Sequence, residues 1–158
     1  MDESGKLAEK LRLEGEKLDL FLMGLSANQW GATVYAEGTA WTVRSILVHL
    51  MSAERAFLKL FDLIRGGSEG VGADFDIDRY NAAQQRKGGD LEIQDLMNAF
   101  RLARGRMVEF VSGLSAADLE RRGRHPFLGM TTLREMVKMI YIHNQAHQRD
   151  IRRALGPM

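Results

Sequence analysis

The chain contains no cysteine, which excludes disulfides, thiolate nucleophiles, cysteine-bound zinc and iron–sulfur clusters. Any metal must therefore be held mainly by His, Asp or Glu, and any thiol chemistry needs a thiol brought from outside. Proline is scarce as well, with two in the chain, Pro126 and Pro157, so no ring breaks a helix before position 126. No continuous apolar run approaches the roughly 18 residues of a membrane span, and the N-terminal MDESGKLAEK is charged and polar. Neither a membrane-spanning segment nor a secretory signal is expected, and a cytoplasmic location is. A strong charge of one sign is also missing: the formal net charge is +1. From Arg121 onward there are 8 Lys and Arg against 2 Asp and Glu, leaving 14 against 19 before it. That asymmetry suits a small anion but is too modest and dispersed for nucleic acid, and no RNA-binding aromatic motif or helix-turn-helix accompanies it.

What is present is ordinary globular composition, 45% hydrophobic and 27% charged, in 158 residues. This length suits one domain spanning 1–158 with a real core. Apolar residues recur at helical spacing in four long stretches. Leu7, Leu11, Leu18, Phe21, Leu22 and Leu25 mark a first helix over about 6–25, interrupted by Gly15. Ile46, His49, Ala53, Phe57 and Leu60 mark a second over 43–65, capped by Thr42 and stopped at Gly66-Gly67. Ile93, Leu96, Met97, Phe100, Ala103 and Met107 mark a third over 91–112, with Asp90 as its expected cap. The fourth runs from Thr131 to Gly156, with Thr132 and Glu135 as a capping box and Gly156-Pro157 as the stop.

The connections carry their own signals. Ser26–Gln29 and Ser115–Asp118 have capping-box spacing for short helical turns. WGATVYAEGTAW is irregular apart from a brief strand-like TVYA, and its Trp30 and Trp41 are large enough to anchor a crossing loop. SEGVGADFDIDRYNAAQQRKGG is the longest polar connection and should hold a short helix over about 76–86, capped by Asp76 or Asp78. Its length suits a rim or lid, on which Tyr80 and Asn81 could line a cavity. RRGRHPFLGM should be extended before the last helix, with His125 exposed in an arginine-rich loop. Together these define an all-α four-helix bundle with a short helical insertion between helices two and three.

Three of the four histidines fall in the inward lines. In the last helix Met136, Ile140, His143, His147 and Ile151 succeed one another at spacings that keep to one face. His143 and His147 are thus one turn apart and can reach one ion, while His49 lies in the stripe of the second helix. A single inward histidine is ordinarily a satisfied core side chain. Three, from two helices, would be costly to bury without partners, and a divalent ion satisfies one nitrogen of each. Three imidazoles leave coordination positions for water or substrate, which fits a reactive metal better than a closed structural zinc. Asn144 follows His143 directly, so no glutamate base is built into the pair as in HExxH, and no catalytic base stands out. Glu54 could orient a neighbour or face solvent, and Asp150 could support His147. Arg149, Arg152 and Arg153 suit a solvated C-terminal patch, with Arg149 also a candidate for holding a substrate or thiol carboxylate.

WTVRSILVHLMSAE and HNQAHQRDI resemble the corresponding stretches of the DinB/YfiT-like metal-dependent family. The resemblance extends over essentially the whole chain. It implies a four-helix bundle with a helical insertion, and metal ligation by His49, His143 and His147. It implies nickel or zinc as the divalent cofactor and a homodimer. It also implies chemistry among that family's thiol-dependent S-transferases and maleylpyruvate isomerases, with an external low-molecular-weight thiol and a small-molecule substrate. The chain departs from the family's H-R-G-Q-I, reading His147-Gln148-Arg149-Asp150-Ile151, which sets apart the surroundings of the last ligand. The expected function is a metal-dependent hydrolase or thiol-dependent S-transferase. The alternatives are a non-catalytic metal- or ligand-binding bundle associated with stress, and a dimeric interaction protein.

Overall fold

The computed structural model describes residues 1–157. Four long helices dominate: α1 (Glu3–Met23), α3 (Val43–Arg65), α5 (Ile93–Ser112) and α7 (Leu133–Leu155). Shorter pieces fill the connections: α2 (Ala27–Trp30), α4 (Ile77–Gly88) and α6 (Ala116–Glu120), with strands β1 (Thr33–Tyr35), β2 (Trp41–Thr42), β3 (Arg122–His125) and β4 (Gly129–Thr132). The strands form two small antiparallel pairs, β1 with β2 and β3 with β4. The all-α bundle and the inserted helix thus stand as expected, and the strand-like TVYA and the extended RRGRH become ribbons.

The long helices do not pack in chain order. Extensive contacts join α1 to α5, α5 to α3, α3 to α7 and α7 back to α1. The ring therefore places α1 across from α3 and α5 across from α7. Each diagonal step needs a connection long enough to cross the end of the bundle, and each crossing segment contains one short helix and one ribbon. Trp30, buried among Val43, Ile46 and Leu96, anchors the first crossing, and Leu119, packed with Leu114 and Leu133, anchors the second.

Local chemistry sets most helix ends. Asp2, Ser26, Thr42, Asp76, Ser115 and Thr132 each accept a backbone N–H of their own first turn. The expectation for Asp90 is corrected: α5 begins at Ile93 after Glu92, which makes no side-chain cap. Instead Leu91 N–H donates to the Gly88 carbonyl, and Arg44 of α3 donates to the carbonyls of Gly88 and Leu91. This short link is held from outside, and the third helix starts later than its composition suggests.

The core lies in two parts. Leu11, Phe61, Met107, Val111, Leu133 and Met136 belong to one, and Leu18, Ile46, Leu47, Leu96, Phe100 and Ile151 to the other. A polar layer lies between them along the bundle. Arg104 of α5 donates to Glu54 of α3 from Nε at 2.6 Å and from Nη2 at 3.1 Å. It also donates to the Leu11 carbonyl at 2.9 Å and to Asn144 of α7. Gly15 explains itself here, because a Cβ at that position would lie 2.9 Å from Arg104 Nη1. The glycine that interrupts the first apolar stripe makes room for a guanidinium crossing the core. Glu54 is correspondingly buried rather than turned to solvent.

Candidate metal centre

Beside that polar layer the three inward histidines meet. His49 comes from the second turn of α3, and His143 and His147 from successive turns of α7, which packs against α3. His143 Nε2 lies 3.1 Å from His49 Nε2 and 2.8 Å from His147 Nε2. Ligand atoms of all three fall within 4.8 Å of one another, and this is the metal-competent cluster found among the described residues. Nitrogens bound to one ion at roughly 2.0–2.1 Å stand about 3.0–3.4 Å apart. The observed edges are close to that spacing.

Without an ion these contacts cannot all be hydrogen bonds. A neutral imidazole nitrogen either donates one proton or offers one lone pair in the ring plane, so His143 Nε2 can serve only one of its two neighbours. Charging the rings would not relieve the conflict. Burial and the neighbouring His143 push His49 down to about 3. Burial, then His143 and His49, push His147 down to about 3, and burial lowers His143 as well. The cluster is a set of neutral imidazoles with convergent nitrogens, which is the donor chemistry a divalent ion of the zinc or nickel kind accepts. His49 Nδ1 is buried without a hydrogen-bond partner, a cost that binding through the opposite nitrogen would offset.

The orientation of His147 is fixed from outside the cluster. Tyr35 of β1 donates its hydroxyl proton to Asp150 Oδ2 at 2.6 Å, and its oxygen lies 2.9 Å from His147 Nδ1. With that proton committed, the phenol oxygen accepts from Nδ1–H and leaves the Nε2 lone pair facing the cluster. The hydrogen bond from Tyr35 holds the Asp150 carboxyl below the usual range. Burial, then Asp150, pushes the Tyr35 hydroxyl up, so the phenol stays protonated. Asp150 thus supports His147 as expected, but through Tyr35. The exposed Arg149 turns its guanidinium toward Asp150 at 3.5 Å. Trp41 of β2 packs on the His49 ring with centroids 5.1 Å apart.

A cavity of about 240 Å³ opens beside the cluster, reaching His49 and His143 and walled by α3, α4, α7 and the β3–β4 ribbon. Ala53, Phe57 and Leu60, on the inward line of α3, border this space instead of packing solidly. Tyr80 and Asn81 of α4 line it as expected. His125 is the correction. The residue expected in an exposed loop is 3% exposed, stacked on Phe57 with centroids 5.0 Å apart and planes at 11°, and it lines the same cavity. Its charged neighbours in sequence point elsewhere because β3 alternates: Gly123 and His125 are buried, whereas Arg122 is exposed. The period-two signal was present in the sequence, but four residues are too few to stand out.

Tyr35, Trp41 and Arg104 are the supporting residues that helical spacing could not pick. The first two lie in a ribbon of a few residues, and the third required knowing that α1, α3, α5 and α7 converge at one level.

An all-α bundle with a crossed connectivity and three convergent histidines between its second and fourth long helices defines a class of metal-competent helical proteins. Residues 10–151 match the model of the DinB superfamily, and the chain belongs to that superfamily. Among solved structures it is similar to YfiT from Bacillus subtilis, described as a probable metal-dependent hydrolase with an unusual four-helix bundle topology. That likeness has a TM-score of 0.77 at 18% sequence identity, and covers 100% of this chain and 91% of the other. At that identity it establishes the shared fold. No curated protein sequence matches the chain.

Proposed function

We propose that this chain is a single-domain, metal-dependent enzyme acting on a small molecule, with hydrolysis as the reaction and His49, His143 and His147 as ligands of a nickel or zinc ion. The observation that carries the reading is the convergence of three neutral Nε2 atoms at the edge of a cavity, without a fourth protein ligand among the described residues. A divalent ion in such a site acts as a Lewis acid and lowers the pKa of water or of a thiol, each of which is a nucleophile once deprotonated. The chain's own contribution is positional. Tyr35 and Asp150 hold His147 in its ligating tautomer, Trp41 covers His49, and the apolar walls exclude bulk water from the face nearest the substrate. The description of YfiT as a probable metal-dependent hydrolase supports the same choice of reaction.

The thiol-dependent transfer implied by the resemblance is a second reading. It uses the same ligands and, in a chain without cysteine, an external thiol. A homodimer goes with either, and exposed Leu20, Met23 and Leu102 on the outer faces of α1 and α5 are available to it.

Metal analysis of protein purified without an affinity tag tests the proposal, alongside the His143→Ala/His147→Ala double variant. One equivalent of zinc or nickel in the parent and none in the variant is the expected result. A metal-free parent that takes up no ion on reconstitution would sink the metal-centre reading. Hydrolysis of simple esters and amides, with and without an added low-molecular-weight thiol, then separates the two reactions.

A further inference from the structure

His125 closes a three-residue turn, Pro126 to Leu128, between the paired ends of β3 and β4, with Gly129 at φ 72° completing it. Its Nδ1 accepts two backbone N–H groups of that turn, from Phe127 at 3.0 Å and Leu128 at 3.1 Å. A nitrogen that accepts cannot carry the proton, so the ring is held as the Nε2–H tautomer. Burial first, then His143, keeps the ring neutral by pushing it down to about 4. The Nδ1 edge faces the turn, one ring face covers Phe57, and the residue lines the cavity. No hydrogen bond engages Nε2 among the described residues, and Nε2 is not among the polar atoms sealed from solvent. A buried imidazole on the cavity wall thus keeps an unengaged, uncharged N–H donor.

The rest of the cavity wall narrows what this donor could meet. Leu50, Phe57, Leu60, Phe75 and Ile140 are apolar. Of its polar side chains, Glu54 and Asn144 are engaged by Arg104, His49 and His143 belong to the histidine cluster, and Tyr80 and Asn81 stand on the α4 wall. The volume of about 240 Å³ is below the roughly 300 Å³ at which drug-sized pockets begin. At the mouth, Phe75 is 41% and Phe127 73% exposed, so the rim is apolar too. No Lys or Arg lines the cavity, so in the metal-free protein an anion would lose its hydration here with no cation to replace it, whereas a neutral carbonyl oxygen needs one donor.

We propose that this cavity binds a small, neutral, apolar carbonyl compound, such as a short aryl ester, amide or ketone, whose oxygen accepts the Nε2–H of His125 while its apolar body fills the space bordered by Phe57, Phe75 and Ile140. The inference rests on the metal-centre reading for calling that compound a substrate, and on the cavity and His125 alone for its binding. His125 would be a specificity residue, selecting for the carbonyl.

The test uses acetophenone and ethylbenzene, probes of like shape with and without a carbonyl oxygen, titrated by NMR into full-length protein, metal-free and zinc-loaded. The variant is His125→Asn, whose Oδ1 can still accept the turn's N–H groups while its own N–H donors sit one bond short of the Nε2 position. Acetophenone should bind the variant about five- to tenfold more weakly than the parent, a single neutral hydrogen bond's worth. Ethylbenzene should bind both equally, which loss of cavity shape would not allow. Equal losses for both probes, an unchanged ketone affinity, or no binding of either probe to the parent would overturn the proposal. Should the variant fail to fold, nitrogen-15 spectra of the parent's imidazoles decide. The His125 Nε2–H signal should move with acetophenone and not with ethylbenzene, and an Nδ1–H tautomer would refute the assignment. Because the metal-free titration needs no ion, failure of zinc to bind would remove the metal-centre reading and leave this result standing.

Discussion

The phenol oxygen of Tyr35 lies 2.9 Å from Nδ1 of His147, joining residues 112 positions apart in the chain. Because Tyr35 gives its proton to Asp150, it receives the one on His147 and bares the opposite nitrogen. Tyr35→Phe should therefore leave the fold intact and weaken zinc or nickel binding about 10- to 100-fold, the usual effect of losing a group that orients a ligating histidine. Competition against a chromophoric chelator reads this directly. An affinity equal to the parent's would show that His147 needs no such support.

The Arg104–Glu54 pair, 6% and 3% exposed, sits between two apolar core halves. Arg104→Met strands a buried carboxylate, and urea unfolding should report a loss of roughly 3–5 kcal/mol. Arg104→Met/Glu54→Leu removes both charges and should recover most of that loss. A double variant as unstable as the single one would mean that shape, not charge pairing, holds this layer together.

Acid should destabilise the metal-free protein from below about pH 6.5. His49 and His147 titrate near 3 and His125 near 4 in the folded chain, against about 6.5 when unfolded. Below 6.5 the unfolded state binds the extra protons, so stability is present above that pH and is lost as pH falls toward the folded values. Each such histidine contributes up to about 1.4 kcal/mol per pH unit within the window. The urea midpoint should stay nearly level from pH 7.5 to about 6.5 and then fall steadily to pH 5, less steeply in His125→Asn. A midpoint constant over that range would contradict the buried neutral cluster.

Gly70 docks the start of the insertion onto the β3–β4 ribbon. Its φ is +95°, and a Cβ there would collide with the Arg124 backbone. Arg124 N–H donates to the Glu69 carbonyl at 2.7 Å, and Val71 N–H to the Arg124 carbonyl at 3.0 Å. Gly70→Ala should cost roughly 1–3 kcal/mol and, in hydrogen exchange, deprotect the amides of Val71 and Arg124 before those of α3 and α5. Uniform exchange along the chain would show that this docking is not a local clamp.

Much of the bundle was legible because its information is local. Apolar residues at helical spacing, with Thr42, Asp76 and Thr132 ahead of them, specify helices wherever the chain later packs them. His49, His143 and His147 could be picked for the same reason: the face of a helix follows from 3.6-residue periodicity. The burial of His125 is hidden from local pattern because a strand of four residues offers too short an alternation to overrule its arginine neighbours. Asp90 does not cap α5 because the link before that helix is held by Arg44, 44 and 47 positions ahead of the Gly88 and Leu91 carbonyls to which it donates.

Local sequence specifies four amphipathic helices, most of their ends, and three imidazoles on inward faces without any thiol beside them. The ring order α1, α5, α3, α7 is a property of packing, since periodicity says which face is buried but not against which helix. That same packing brought Tyr35 to His147, Arg104 to Glu54 and His125 to the cavity. These partners lie 112, 50 and, for His125 and Phe57, 68 positions apart. Contacts over such separations depend on chain closure and complementary burial, which no local pattern encodes.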